Sequence, residues 1–168
     1  SLIAIQGPKS RDILSKFTDV NLYMPFYSYR DGVIDGHSVM VSRTGYTGEL
    51  GFEIYGEANS LSHIWSILVN AGAKPAGLAA RDILRMEMKY CLYGNDIDQF
   101  TNPLEADLSW ITDLTKDNFV GKDALLKVKE NGIKKQLVAF IMEERGIPRQ
   151  NYKIFSNSKN VGIVTSGT

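Results

Sequence analysis

The chain has 168 residues, and its 43% hydrophobic and 23% charged residues are those of an ordinary globular protein. Its 19 basic residues balance its 19 acidic residues, so no net positive field is available to attract nucleic acid or an anionic membrane surface. Cys91, the single cysteine, excludes an internal disulfide and fits a reducing compartment. The two histidines lack metal-ligand spacing, and no apolar run approaches the ~20 residues of a membrane span.

The first half of the chain predicts alternating strands and helices. Residues 2–5 are typical of a short strand, and Gly7-Pro8 favours the start of a helix. Asp35-Gly36 predicts a tight hairpin turn. Apolar residues then recur at helical spacing until Gly72, namely Leu61, Ile64, Trp65 and Leu68. This order of strand, helix, two or three antiparallel strands and helix predicts an α+β fold close to the ferredoxin-like βαββαβ arrangement.

The second half of the chain predicts further helices and then strands. One helix is expected from residue 77 to about residue 90, with Arg81 and Arg85 on one side as solvated charges, and another over residues 121–130. Strands are expected at residues 137–142, 152–155 and 161–165. A change of composition near residues 131–135 predicts a domain boundary, with one domain at 1–130 and an incomplete β domain at 131–168.

A glycine-rich stretch in the middle of the chain is the strongest candidate for a functional loop. Gly45, Gly48 and Gly51 fall within seven residues, and the strand that follows alternates apolar residues with others. Glu53 therefore points away from the apolar face. The pattern by itself leaves two interpretations open: a hairpin with a solvated glutamate, or a loop shaped to approach a ligand.

Several short motifs occur in an order and spacing typical of one family. They are residues 2–8 (LIAIQGP), 43–49 (RTGYTGE), 77–82 (GLAARD), 92–96 (LYGND), 102–105 (NPLE), 108–110 (LSW), 119–123 (FVGKD) and 162–167 (GIVTSG). Together they make the chain closely resemble the T-protein family of the glycine cleavage system, the folate-dependent aminomethyltransferases. The resemblance extends over essentially the whole chain.

The resemblance implies a longer protein whose domains surround a central hole that holds tetrahydrofolate. Residues 1–130 would form the ferredoxin-like folate-binding domain, and residues 131–168 would be the first strands of a C-terminal β-barrel. The family takes an aminomethyl group from the lipoylated H-protein, releases ammonia and forms 5,10-methylenetetrahydrofolate. Its members work in the bacterial cytoplasm or the mitochondrial matrix.

The resemblance also implies three folate-binding residues, Tyr46, Glu53 and Arg81. A carboxylate can accept hydrogen bonds from neighbouring pterin donors, a tyrosine can pack on the flat ring, and an arginine suits a folate carbonyl or carboxylate. Trp110 and Asp96 are weaker candidates that could equally hold the structure together. The family's catalytic aspartate lies in an N-terminal domain that this sequence does not contain. We therefore expect no catalytic residue and no bound metal here, and we expect the chain alone to be inactive.

Two other functions stay open at the sequence level. Repair-type relatives carry a cysteine in the motif KGCYxGQE, and residues 43–49 have none, which argues against that branch. A folate-dependent demethylase of the same family is not distinguished by these residues. A non-catalytic folate-binding or interaction module on a ferredoxin-like fold is the third possibility, because fold alone does not determine function.

Overall fold

The computed structural model describes residues 1–168 as two compact units, Ser1–Met88 and Lys89–Thr168. None of the helices combines the length and the apolar character that crossing a membrane would require. The predicted boundary near residues 131–135 falls inside the second unit, and the division into domains 1–130 and 131–168 stays a prediction.

The first unit is built on a four-stranded antiparallel sheet. Its elements are β1 (Leu2–Gln6), α1 (Ser10–Leu14), β2 (Tyr29–Ile34), β3 (His37–Ser42), β4 (Gly51–Tyr55), α2 (Ala58–Asn70) and α3 (Leu78–Glu87). The strand order across the sheet is β1-β4-β3-β2, and every neighbouring pair is antiparallel. The α+β class is thus confirmed. The order along the chain differs from βαββαβ in one respect, because three strands follow α1 and the sheet is complete before α2 begins.

One face of this sheet carries the core of the unit. Strand β4 contributes Phe52 and Ile54, β3 contributes Val41, and all three side chains are fully buried. Helix α2 packs its predicted apolar stripe against them through Leu61, Ile64 and Leu68. Trp65, which shares the predicted stripe, is instead 45% exposed. Burial of these side chains supplies most of the driving force for folding the unit.

The β2–β3 hairpin turns at the predicted dipeptide. Asp35 and Gly36 both have positive φ, 46° and 82°, as a type I′ turn requires. The turn is also tied to α2, since Oδ2 of Asp35 lies 2.6 Å from Nε2 of His63. The ring of His37 lies 4.9 Å from that of His63, centroid to centroid, which adds a second contact between the hairpin and the helix.

The second unit has less regular structure. It contains a 3₁₀ turn (Ser109–Ile111), α4 (Lys122–Asn131), and the antiparallel strands β5 (Lys153–Ser156) and β6 (Lys159–Ile163). The prediction of a strand at residues 137–142 is wrong. Only the amide of Leu137 makes a backbone bond there, to the carbonyl of Glu105. An apolar run does not become a strand without a neighbouring strand to complete its hydrogen-bond ladder.

A charge network joins three segments of the second unit. Lys89 donates to Asp107, which also accepts a 3.4 Å hydrogen bond from Gln136, and Lys135 lies 3.9 Å from Glu105. The hydrogen bond from Lys89, then its charge, and then the bond from Gln136 hold the pKa of Asp107 below its ordinary value. The carboxylate form is therefore favoured in the folded state.

We expect Ile64→Ala to lower the free energy of unfolding by about 2–5 kcal/mol, because it leaves a cavity in place of a fully buried side chain. Urea unfolding followed by circular dichroism measures the change. Ser66→Ala on the exposed side of the same helix serves as the control and should stay within about 0.5 kcal/mol. An equal effect of the two substitutions would contradict the described core.

The lowered pKa of Asp107 predicts a pH-dependent contribution to stability. A lowered carboxyl pKa stabilises the folded state above the unfolded value of about 4, and this contribution disappears as the pH falls through the lowered pKa. Asp107→Asn should therefore destabilise the protein at pH 7 and have little effect at pH 2. Unfolding midpoints of both proteins across this range test it, and a pH-independent difference between them would refute it.

Candidate functional site

Glu53 occupies the face of the sheet opposite the core. Its neighbours in β4, Phe52 and Ile54, are fully buried, so the two-residue period of the strand places Glu53 on the other side. It pairs with Ala4 of β1 and with Ser42 of β3. Its side chain is half-buried between these two strands.

Hydroxyl groups orient the Glu53 carboxylate. Thr44 and Tyr55 both donate to Oε2, the latter over 3.3 Å. An ionised carboxylate only accepts, so Thr44 uses its one hydroxyl proton on Glu53. Ser42, whose Oγ lies 2.7 Å from Oγ1 of Thr44, then donates to Thr44. The hydrogen bonds from Thr44 and Tyr55 both go to Oε2 of Glu53, which leaves Oε1 available to accept a hydrogen bond from a ligand.

The loop before β4 is anchored at its base by Arg43. The Arg43 guanidinium donates to the carbonyl of Met24 over 2.8 Å and lies 4.2 Å from the ring centroid of Phe26. Further along, Gly48 has a φ of +73°, and a Cβ there would lie 2.6 Å from the Met88 side chain. Glycine is therefore required at position 48 both for its backbone conformation and for space.

Tyr46 and Arg81 meet at the tip of this loop. The guanidinium carbon of Arg81, on α3, lies 4.5 Å from the centroid of the Tyr46 ring, which is a cation–π contact. Arg81 itself is exposed, whereas Tyr46 is half-buried. Two of the three predicted residues are thus in contact. The third, Glu53, is bonded to Thr44, two residues before Tyr46.

Arg85, one turn after Arg81, does not match the prediction of a solvated charge. Its side chain is only 2% exposed, and its Nε donates to Oδ1 of Asp82 over 2.7 Å. The spacing of an acid three residues before an arginine was the available signal for this pair. The prediction failed because burial of one side of α3 depends on tertiary packing, which the helical period does not specify.

Asp96 and Trp110, the weaker candidates, lie in the second unit. Asp96 accepts hydrogen bonds from the amide of Leu92 over 2.9 Å and from the hydroxyl of Thr165. Its carboxylate therefore links the loop that contains Leu92 to the segment that contains Thr165. Trp110 is 73% exposed on the 3₁₀ turn. Their assignment to a folate site stays a prediction.

Residues 1–168 contain no group of three or more histidine, cysteine, aspartate or glutamate side chains arranged to hold a metal ion. The carboxylate of Asp98 accepts hydrogen bonds from the hydroxyl of Thr101 over 2.7 Å and from the amide of Phe100 over 2.9 Å. These bonds, with that of Thr101 the larger, lower the pKa of Asp98.

The antiparallel α+β unit lies within a part of the chain that matches a known protein family. Residues 1–116 match the family described as the GCVT N-terminal domain, and the chain belongs to that family.

Relatives with curated names extend this comparison. An aminomethyltransferase of Halothermothrix orenii is 50% identical over 173 residues, covering 100% of this chain and 48% of the relative. An aminomethyltransferase of Flavobacterium psychrophilum is 51% identical over 175 residues, with the same coverage. The crystal structure of glycine cleavage system aminomethyltransferase T from Bartonella henselae superposes with a TM-score of 0.90 at 32% identity, over 99% of this chain and 47% of that one. The chain thus spans about half the length of the relatives it matches.

We expect Asp96→Ala to destabilise the protein by about 1–3 kcal/mol, because it removes a charged acceptor from two donors. Thermal unfolding gives the difference. Asp117→Ala, which removes an exposed carboxylate from the same unit, is the matched control and should have little effect. If Asp96→Ala is as stable as the unmodified protein, these hydrogen bonds contribute nothing to stability.

Proposed function

We propose that the chain is the tetrahydrofolate-binding part of an aminomethyltransferase of the glycine cleavage system. In the proposed reaction an aminomethyl group arrives on the lipoyl arm of the H-protein, ammonia is released, and 5,10-methylenetetrahydrofolate forms. Membership of the GCVT N-terminal domain family and the names of the relatives support this assignment. The bacterial sources of these relatives favour the bacterial cytoplasm over the mitochondrial matrix as the place of action.

One observation carries the proposal: a carboxylate oriented by Thr44 is linked through that loop to a tyrosine ring lying against an arginine. Pterins present a ring N–H beside an amino group, and a carboxylate accepts such a pair of donors with good geometry. Glu53 has Oε2 held in place and Oε1 available, so the carboxylate is oriented before a ligand arrives. Less side-chain freedom is then lost on binding.

The pair formed by Tyr46 and Arg81 suits the remaining part of a folate. The tyrosine ring offers a flat surface for packing, and the exposed guanidinium of Arg81 offers donors to a carbonyl or carboxylate. Arg81 is exposed to solvent. It is therefore the group best able to adjust to the ligand after Glu53 has engaged it.

In this proposal Tyr46, Glu53 and Arg81 bind and orient the folate. No residue of the chain is assigned to proton transfer. Tetrahydrofolate would supply the nucleophilic nitrogen. Neither Asp82 nor Asp96 is suited to activate it, because Asp82 is paired with Arg85 and Asp96 is bonded to Leu92 and Thr165. The catalytic acid or base is therefore expected elsewhere in the longer protein.

We expect Glu53→Gln to weaken tetrahydrofolate binding by the intact gene product about tenfold to a hundredfold, because a neutral amide accepts fewer and weaker hydrogen bonds than a carboxylate. Isothermal titration under anaerobic conditions measures the dissociation constant. Glu57→Gln, at an exposed position before α2, is the control and should leave binding unchanged. If the intact protein binds tetrahydrofolate equally well with and without Glu53→Gln, the proposed site is wrong.

The same preparation separates an aminomethyltransferase from a demethylase. Formation of methylenetetrahydrofolate should require the aminomethylated H-protein and should not occur with an N-methylated amino acid as donor. The opposite donor requirement would assign the protein to the demethylase branch. Folate binding without either reaction would favour a non-catalytic module.

A further inference from the structure

Gln6, the last residue of β1, holds the middle of the loop that carries Tyr46. Its Nε2 donates to the carbonyls of Thr44, over 3.2 Å, and Phe52, over 3.3 Å. Its Oε1 accepts a hydrogen bond from the hydroxyl of Thr47 over 3.3 Å. Both amide protons and one lone pair of this side chain are thus used. The amide connects β1 to β4 and to both sides of Tyr46.

Two glycines make room for this amide. A Cβ on Gly45 would lie 2.1 Å from Oε1 of Gln6, and one on Gly51 would lie 2.0 Å from the same atom. Neither glycine has a positive φ, in contrast to Gly48. A side chain at position 45 or 51 would therefore force the Gln6 amide to move, and glycine at these positions leaves it in place without any demand from the backbone conformation.

The two ends of the loop are held by other groups. The amide of Arg43 donates to the carbonyl of Ser28 over 2.9 Å, and the amide of Gly7 donates to the carbonyl of Leu50 over 2.7 Å. Gln6 acts between these ends, at Thr44 and Thr47. Its hydrogen bonds thereby hold the segment from Thr44 to Thr47. In this segment the Thr44 hydroxyl donates to Glu53 and the Tyr46 ring contacts Arg81.

We infer that Gln6 is a positioning residue for the folate site proposed above, acting through the loop and without contact to the ligand. The inference rests on that proposed function. Its physical basis is that Thr44 and Tyr46 are placed by backbone atoms, and the amide of Gln6 fixes the backbone of Thr44 directly. Loss of the amide should misplace both groups together.

A double-mutant cycle in the intact gene product tests the inference. We expect Gln6→Ala to raise the dissociation constant for tetrahydrofolate about tenfold, as loss of several hydrogen bonds implies. Gly51→Ala should produce a similar rise, because its Cβ would displace the amide of Gln6. The double variant should bind no more weakly than Gln6→Ala alone, since the space is then empty. Fully additive losses would overturn the inference.

A nearly isosteric substitution, combined with thermal unfolding, separates an effect on ligand binding from an effect on folding. Gln6→Glu preserves size but sets a carboxylate against the carbonyls of Thr44 and Phe52, and it should weaken binding at least as much as Gln6→Ala. Thermal unfolding is measured in parallel for every variant. A variant of Gln6 with a lowered melting temperature and an unchanged dissociation constant would identify a merely structural role and refute the inference.

Two further variants separate this inference from the proposed function. Thr18→Val deletes a hydroxyl bond to the carbonyl of Val33 elsewhere in the first unit and should leave tetrahydrofolate binding unchanged. Glu53→Gln is the positive control. If Glu53→Gln has no effect, the folate site proposed above is itself wrong. If Glu53→Gln weakens binding and the Gln6 variants do not, only the positioning role is wrong.

Discussion

The two-residue period of strand β4 is the constraint on which the first unit depends. Phe52 and Ile54 have no exposed surface, and burial of such side chains stabilises a fold by about 1.5–3 kcal/mol each. A shift of register by one residue would expose both and drive Glu53 into the core, at the cost of burying a charge. The strand therefore has one acceptable register. That register presents Gly51, Glu53 and Tyr55 on the other face, where the candidate site is built.

The candidate site combines a side chain on the sheet with side chains from a loop and a helix. Glu53 belongs to a strand paired on both sides, and the bonds from Ser42 through Thr44 give its carboxylate a defined orientation. Tyr46 and Arg81 come from a loop and from the exposed side of α3. In the proposed folate site, this arrangement would place the group that hydrogen-bonds the ligand on the sheet and the groups that pack against the ligand on the elements around it.

Local sequence patterns correctly predicted elements that depend on residues close together along the chain. They failed where the structure depends on contacts with distant segments. The Asp35-Gly36 turn and the burial of Leu61, Ile64 and Leu68 on α2 follow from short-range rules and are confirmed. Trp65, in the same predicted stripe, is exposed. The strand expected at residues 137–142 has the right composition but no adjacent strand, so it does not form. Arg85 is buried beside Asp82 although a helical period assigns it to solvent. In both cases the missing information is what lies next to the segment in space.

Resemblance of its motifs to a known family suggested Tyr46, Glu53 and Arg81 as site residues, whereas the sequence by itself determined the alternation of β4, the hairpin turn and most of the apolar stripe of α2. These features depend on residues close together along the chain, where period and turn chemistry operate. Only the tertiary structure decided why Gly45 and Gly51 are glycines, and that Tyr46 lies against Arg81. The bonds of Gln6 join residues 38 to 46 positions apart, and they exist because pairing of β1 with β4 closes that long loop. No local pattern encodes such a contact, since it arises only when distant strands pair.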